Sequence, residues 1–342
     1  MNTAPSAPHG EPLADGPPKG AHGTPKPVVL AAVLAVVQLV VLIAFAWPAA
    51  RMSPHDVPVV VAGGGPVSTA LRKQLVQAEP GAFDISTRAD EAAAREALLD
   101  RDAYAAVVVD GSRVKVLVAT AASAAVSSAF GQVAAELGKK TGTAVPVEDV
   151  KPAPAKDSHG AAFASSVLPV VLTGIIGGLL FALRLSGRGA RLLGVTFFAC
   201  FAGLATTALV HGWIGALNGS YVMEAAVVAL MVMVISGAVA GLGSALGHPG
   251  LALGALTILL VGNPFSGVAS APEMLPGPWG AIGQALPPGA GASLLRSVTF
   301  FDGAGATKPL TVLLVWALGG LTLLAVSGRG KAERKVPALA TA

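Results

Sequence analysis

Six stretches of twenty or more residues contain no Asp, Glu, Lys or Arg, and nothing else in this sequence limits its folding so strongly. They run over 27–50, 158–183, 192–223, 225–272, 274–295 and 309–328. A helix crosses about 30 Å of hydrocarbon in about 20 residues, so every run passes on length. Run 225–272, with 48 residues, has room for two crossings, and His248-Pro249-Gly250 supplies the break. Run 274–295 holds Pro276, Pro278, Pro287 and Pro288 with five glycines, which makes it a poor spanning helix. The pattern predicts an α-helical integral membrane protein with six transmembrane helices, at 27–47, 164–184, 191–212, 223–245, 247–262 and 309–327.

Charge is scarce and unevenly placed. Charged residues make up 12% of the 342, against about 25% in a soluble domain. Of the 42 charges, 25 fall between Arg51 and Asp157, so the deficit belongs to particular segments. The net charge of +4 comes from cations beside apolar runs, where lipid headgroups account for them; no nucleic-acid partner is expected. The single cysteine, Cys200, excludes a disulfide framework within the chain and a cysteine-based zinc site. Ala44-Phe45-Ala46 resembles a signal-peptidase site, but the apolar core before it exceeds the about 7–15 residues of a secretory signal. An uncleaved signal anchor is expected.

Lys and Arg in short flanks set orientation. With the N-terminus inside, the cytoplasm holds Lys19, Lys26, Arg184, Arg188, Arg191, Arg329, Lys331, Arg334 and Lys335, and the short outer loops hold only Arg296 and Lys308. Both termini are then cytoplasmic in a multi-pass cell-membrane protein, as an even number of spans requires.

Between the spans the text changes. Residues 1–26 are rich in Pro, Gly and Ala without apolar period, a disordered cytoplasmic tail, and 329–342 form a second tail. Residues 51–163, between the first and second helices, alternate as an extracytoplasmic α/β domain. Strands are expected at Val57–Val61 and Phe83–Ser86, and helices at Val67–Gln77 and Ala89–Leu99, the latter capped near Thr87. A hairpin of Ala103–Val109 and Val114–Val118 turns at Asp110-Gly111, followed by a helix from Ser123 to Leu137 and a last strand near Val145. The remainder, 164–328, forms a five-helix membrane domain. Its Pro/Gly-rich part predicts outer half-helices near 264–300, at Pro278–Gln284 and Gly291–Thr299, since irregular backbone at membrane depth survives only where protein or water shelters it.

Chemical motifs are few. Glu224, at the end of a span, is the only acid near the spans' interior, which speaks against a carrier driven by its own ion coupling. No nucleotide-binding P-loop is present; Gly138-Lys139-Lys140-Thr141 lacks the preceding glycine. Gly63-Gly64-Gly65-Pro66 follows a strand, but Ser68 replaces the third glycine of a dinucleotide fingerprint and Pro66 removes an N–H, so a tight turn is expected. His9, His22, His55, His159, His211 and His248 show no ligand spacing, and no G-x-S-x-G occurs. No cofactor, metal or enzymatic activity is predicted. Gly174-x-x-Gly177-Gly178, Gly237-x-x-x-Gly241 and Gly250-x-x-x-Gly254 are small-residue seams suited to helix packing, within one bundle or across a dimer.

Two stretches carry a family resemblance. Val57-Pro58-Val59-Val60-Val61, Asp90-Glu91-Ala92 and Ala103-Tyr104-Ala105-Ala106-Val107-Val108-Val109 look like an opening strand, acidic helix start and second strand. Ser266-Gly267, Pro272-Glu273-Met274-Leu275-Pro276, Leu286-Pro287-Pro288 and Leu294-Leu295-Arg296 are similar to the proline segment that precedes a final helix. With this topology, the chain resembles an ABC transporter permease of the type-2 exporter class, in the phage-infection-protein-like branch. The resemblance implies a homodimer or a pair with a related permease chain, a separate cytoplasmic ATPase subunit, and outward movement of an amphipathic, lipid-like or peptide substrate. It makes Gly267, Pro272, Glu273, Pro276, Pro287 and Arg296 the candidate motif, with Glu273 and Arg296 on the outer half-helices as functional groups, interfacial anchors or a local ion pair. Arg184, Arg188 and Arg191 form a short candidate coupling loop of eight residues, and no amphipathic elbow helix precedes the first span. The alternative is a non-transporting membrane receptor or envelope scaffold derived from such a permease.

Overall fold

A computed structural model describes residues 26–111 and 113–327. The two expected tails, with Lys19, Arg329, Lys331, Arg334 and Lys335, lie outside the described residues. The chain divides into two compact units between Leu42 and Ile43. Helix α1 (Lys26–Ala50) begins in the first and ends in the second. From Val28 to Ile43 its side chains are almost all apolar on every face, a pattern compatible with a membrane-crossing helix.

Within the second unit, strands form where β-branched runs meet turn signals. They are β1 (Val57–Ala62), β2 (Phe83–Arg88), β3 (Ala105–Asp110), β4 (Arg113–Val118) and β5 (Val147–Asp149), ordered β2-β1-β3-β4-β5. β1 runs parallel to β2 and β3, β3 and β4 are antiparallel, and β5 is parallel to β4. The turn after β3 passes through Gly111 at φ 60°, a left-handed conformation open to glycine. Alternate residues build two faces. Val60, Ala62, Ala106, Val108 and Leu117 pack with Ala94, Ala97 and Leu98 of α3 (Glu91–Leu99). Val57, Val59, Ala105, Val107 and Val116 pack with Val126, Phe130 and Ala134 of α4 (Ala124–Thr141), and Leu71 of α2 (Pro66–Ala78) joins them. Coverage on both faces is why β1 and β3 read as unbroken apolar runs.

Boundaries differ from expectation for local reasons. Thr87 and Arg88 stay paired with Val61 and Ala62 in the sheet, so α3 starts later and its cap is Asp90, whose side chain accepts from the Ala93 N–H at 2.9 Å. The last strand begins at Val147, not near Val145, where the chain comes into register with β4. Ser123 caps α4 as its hydroxyl suggests, accepting from the Val126 N–H at 3.3 Å.

The helical part comprises α5 (Ala161–Arg184), α6 (Arg188–Thr207), α7 (Tyr221–Leu246), α8 (His248–Leu256), α9 (Trp279–Gln284), α10 (Pro287–Phe300) and α11 (Thr307–Val326). Wider π-helical turns extend α6 to Ile214 and α8 to Gly262. α7 is the central helix, with fourteen buried residues. The glycine seams close within this chain: a Cβ at Gly241 would overlap the Gly320 carbonyl of α11, and one at Gly203 would crowd α7 at Ala225 and Ala229. Such contacts let helix backbones approach where apolar surroundings give no hydrophobic drive.

Five helices are long and apolar enough to cross a membrane: α1, α5, α6 with its π-turn, α7 and α11. The fifth expected span, 247–262, is instead a shorter apolar helix, His248–Gly262, entered by Pro249 at its first turn. The second half-helix begins at Pro287, not Gly291, because prolines are accommodated in a first turn, where no intrahelical N–H bond is lost.

Candidate functional site

Proline and glycine fold residues 263–300 back on themselves. Ser266 turns the chain by donating its hydroxyl to the Asn263 carbonyl at 2.7 Å. Gly267 follows at φ 67°, where a Cβ would also crowd Pro272. Pro272 opens a 3-10 turn over Pro272–Met274, and the Pro276 carbonyl accepts from the Trp279 N–H at 2.8 Å to begin α9. A Cβ at Gly283 would overlap the Phe265 carbonyl, so glycine alone lets α9 lie against that segment. Trp279 stacks on Phe265 at 4.6 Å between centroids, and Trp47 meets both rings edge-on.

This folded segment is stitched to the sheet domain. The Ser53 and His55 N–H groups donate to the Met274 and Glu273 carbonyls at 3.0 and 2.8 Å, and the Tyr104 hydroxyl donates to Glu273 Oε2 at 2.9 Å. Burial, then the Glu273 charge, pushes the Tyr104 phenol well above its usual range. Arg101, at φ 65°, reaches into the half-helices. Its Nη1 donates to the Ser293 carbonyl at 3.1 Å and to Ser297 Oγ, and its guanidinium lies 5.4 Å from the Phe301 ring centroid. Burial lowers its pKa.

Glu273 and Arg296 do not form the local ion pair that the sequence left open. Arg296 is buried, donates from Nη2 to the Val268 carbonyl at 2.8 Å and stacks 5.0 Å over Phe163. No carboxylate lies within salt-bridge distance of it among the described residues. The six motif residues are thus brought into one folded segment, but of the two charged ones only Arg296 sits on a half-helix, α10; Glu273, expected on the other, lies in the 3-10 turn ahead of α9, where Pro272 starts a tighter turn. Between the segment and the sheet domain opens a cleft of 510 Å³, with Asp56, Arg101, Tyr104, Glu273, Gln284 and Lys308 among its lining.

The proposed coupling loop divides by role. Arg191 caps the end of α5, donating to the Leu185 and Ala182 carbonyls at 3.0 and 2.9 Å, and ties it to α7 through Ser244 Oγ at 2.7 Å. Guanidinium donors suit the free carbonyls of a helix C-terminus. Arg184 and Arg188 are exposed. The loop sits at the end of α5 away from the sheet domain, which enters at Ala161.

Two arrangements were not read from the sequence. Glu224, expected merely at a span end, is fully buried in the first turn of α7. Its Oε1 accepts from the Gly219 N–H at 2.8 Å and its Oε2 lies 2.7 Å from His211 Nδ1. The pairing spans thirteen residues across a turn, so no i, i+4 spacing reveals it. On the sheet domain, Glu91 and Glu148 share Arg95 and Lys115 at 2.6–3.1 Å. The Arg95 and Lys115 hydrogen bonds hold the Glu148 carboxyl down at about 2, and Lys115 chiefly lowers Glu91. Gly63 and Gly65 have φ of 99° and 101°, a tight turn into α2.

No protein-family model matches this sequence, and no curated protein or solved structure matches it either.

Proposed function

We propose that the chain is the membrane-spanning permease subunit of an ABC-type export system, moving an amphipathic, lipid-like or peptide substrate outward with energy from a separate ATPase. In this reading the chain crosses the cell membrane six times, the short His248–Gly262 helix being the fifth crossing. Both termini are cytoplasmic, the sheet domain is extracytoplasmic, and the protein works as a homodimer or beside a related chain. The observation that carries it is the opposition of two ends. At one end of the bundle the Pro/Gly segment closes a polar and apolar cleft onto the sheet domain. The other end presents the cations Arg184 and Arg188 to solvent while Arg191 holds the loop in shape. The exposed Phe197, Phe201, Leu314, Val315 and Leu318 on α6 and α11 provide a lipid-facing surface.

The test is purification from native membranes in mild detergent, followed by reconstitution into vesicles. The proposal expects a nucleotide-binding subunit to accompany the chain, and ATP-dependent loss of an amphipathic dye that Arg184→Glu with Arg188→Glu abolishes without loss of fold. An intact complex lacking any nucleotide-binding protein, with no ATP-dependent movement, would refute it. A receptor or scaffold is the second reading, favoured by a 760 Å³ cleft lined wholly by sheet-domain residues, among them Glu91, Arg113 and Lys115.

A further inference from the structure

The 510 Å³ cleft falls within the about 300–1,000 Å³ range of small-molecule sites, and its walls differ in kind. Four formally charged side chains line it: Arg101 and Lys308, Asp56 and Glu273. Among the described residues no salt bridge joins any two of them. Tyr104 occupies Glu273 Oε2, and Oε1 has no donor among the described residues. Arg101 uses Nη1 alone, on neutral oxygens. Lys308 is exposed and has no polar partner among the described residues. Groups of both signs thus stand in one cavity without neutralising each other directly. In the same cleft Leu275, Ala281, Ala285 and Val312 supply apolar lining, and the Trp316 indole N–H holds that part by donating to the Ala285 carbonyl at 2.9 Å. Asp56 and Arg101 are two of the three non-glycine residues with positive φ among the described residues. Left-handed backbone is unfavourable for a side chain such as Arg and collects where a site demands it.

We infer that this cleft binds the zwitterionic headgroup of an amphiphile: its ammonium at Glu273 and Asp56, its phosphate or carboxylate at Arg101 and Lys308, and its chain along Ala281, Ala285 and Val312. The apolar wall comes from Leu275, from Ala281 and Ala285 in and just after α9, and from Val312 of α11, and the exposed Val315, one turn from Val312 on the same side of α11, continues it toward the surface that the permease reading gives to lipid. The inference rests on that reading for its substrate class and deepens it. Equilibrium binding in micelles without nucleotide tests it separately from transport.

The experiment titrates the full chain in maltoside micelles with dihexanoyl phosphatidylethanolamine, dihexanoyl phosphatidylglycerol and glycerophosphoethanolamine, the headgroup without chains. Phosphatidylethanolamine should bind at least about tenfold more tightly than either comparator, because each charge-assisted contact, and the buried chain, contributes on that scale. Glu273→Gln keeps a partner for Tyr104 and should weaken phosphatidylethanolamine by about tenfold while leaving phosphatidylglycerol unchanged. Lys308→Gln, an exposed change that leaves the fold alone, should weaken both lipids. Equal affinity for the two lipids, or no effect of Glu273→Gln, overturns the zwitterion assignment. Equal affinity for the chainless headgroup overturns the amphiphile and points to a soluble zwitterion. Binding that holds while ATP-driven movement is absent leaves this inference standing and removes the export reading.

Discussion

Replacing Glu224 should destabilise the helical bundle in a way that depends on the shape of the replacement more than on its charge. The carboxylate is fully buried and holds two contacts, 2.8 Å from the Gly219 N–H and 2.7 Å from His211 Nδ1. A buried group left without its hydrogen-bond partner costs about 1–3 kcal/mol, so Glu224→Leu, which strips the partner from both Gly219 and His211, should cost about 2–6 kcal/mol and leave the turn between α6 and α7 without its internal acceptor. Glu224→Gln keeps an oxygen for Gly219 and an amide for His211, and should cost about 1 kcal/mol. At about 2 °C per kcal/mol for a chain of this size, the leucine variant should melt at least about 4 °C below the parent in detergent, and the glutamine variant within about 2 °C. A leucine variant as stable as the parent, or a glutamine variant that falls as far as leucine, would refute the argument.

Packing, charge and capping give three more expectations. Gly241→Val forces a side chain into the Gly320 carbonyl and should cost about 1–3 kcal/mol, read as a lower melting temperature; an unchanged melt would show that α7 and α11 do not touch there. Acid should loosen the sheet domain: Glu148 is held down at about 2 by Arg95 and Lys115, below its ordinary 4.5. The stability it lends is therefore complete above that ordinary value and drains away as pH falls toward 2. Thermal melts at pH 3 and 7 should lose part of their difference in Glu148→Gln, and an unaltered difference contradicts the assignment. Arg191→Ala, which removes three hydrogen bonds, should lower the melting temperature, whereas Arg184→Ala and Arg188→Ala should not; equal effects would mean that the loop has no dedicated clamp.

Most elements were legible because their signals are local. The absence of charge over 27–50 and 309–328 announces α1 and α11, and Val57–Val61 with Asp110-Gly111 announces β1 and the hairpin. Boundaries were missed where a neighbour overrides local preference: Thr87 could cap a helix, but pairing with β1 keeps it in a strand. The motif Gly267, Pro272, Glu273, Pro276, Pro287 and Arg296 could be read as one segment from its order, yet its partners could not. Arg101 and Tyr104 lie about 170 residues from Glu273 in the chain, and only the docking of the 3-10 turn on residues 53–55 joins them. The Glu224–His211 contact stayed hidden for the same reason. In sequence both looked like span-end residues, and their meeting depends on a π-turn that no residue pattern marks.

In the export reading the sheet domain and the Arg184–Arg191 loop lie on opposite sides of one bilayer. Cys200 is the single native cysteine, so a Cys200→Ser background allows one new cysteine at a time, as Asp110→Cys or Arg188→Cys, both exposed positions. A membrane-impermeant maleimide applied to intact cells should label the first and reach the second only after the membrane is opened. Labelling of both from the same side, or of the Arg188→Cys variant alone in intact cells, would contradict it.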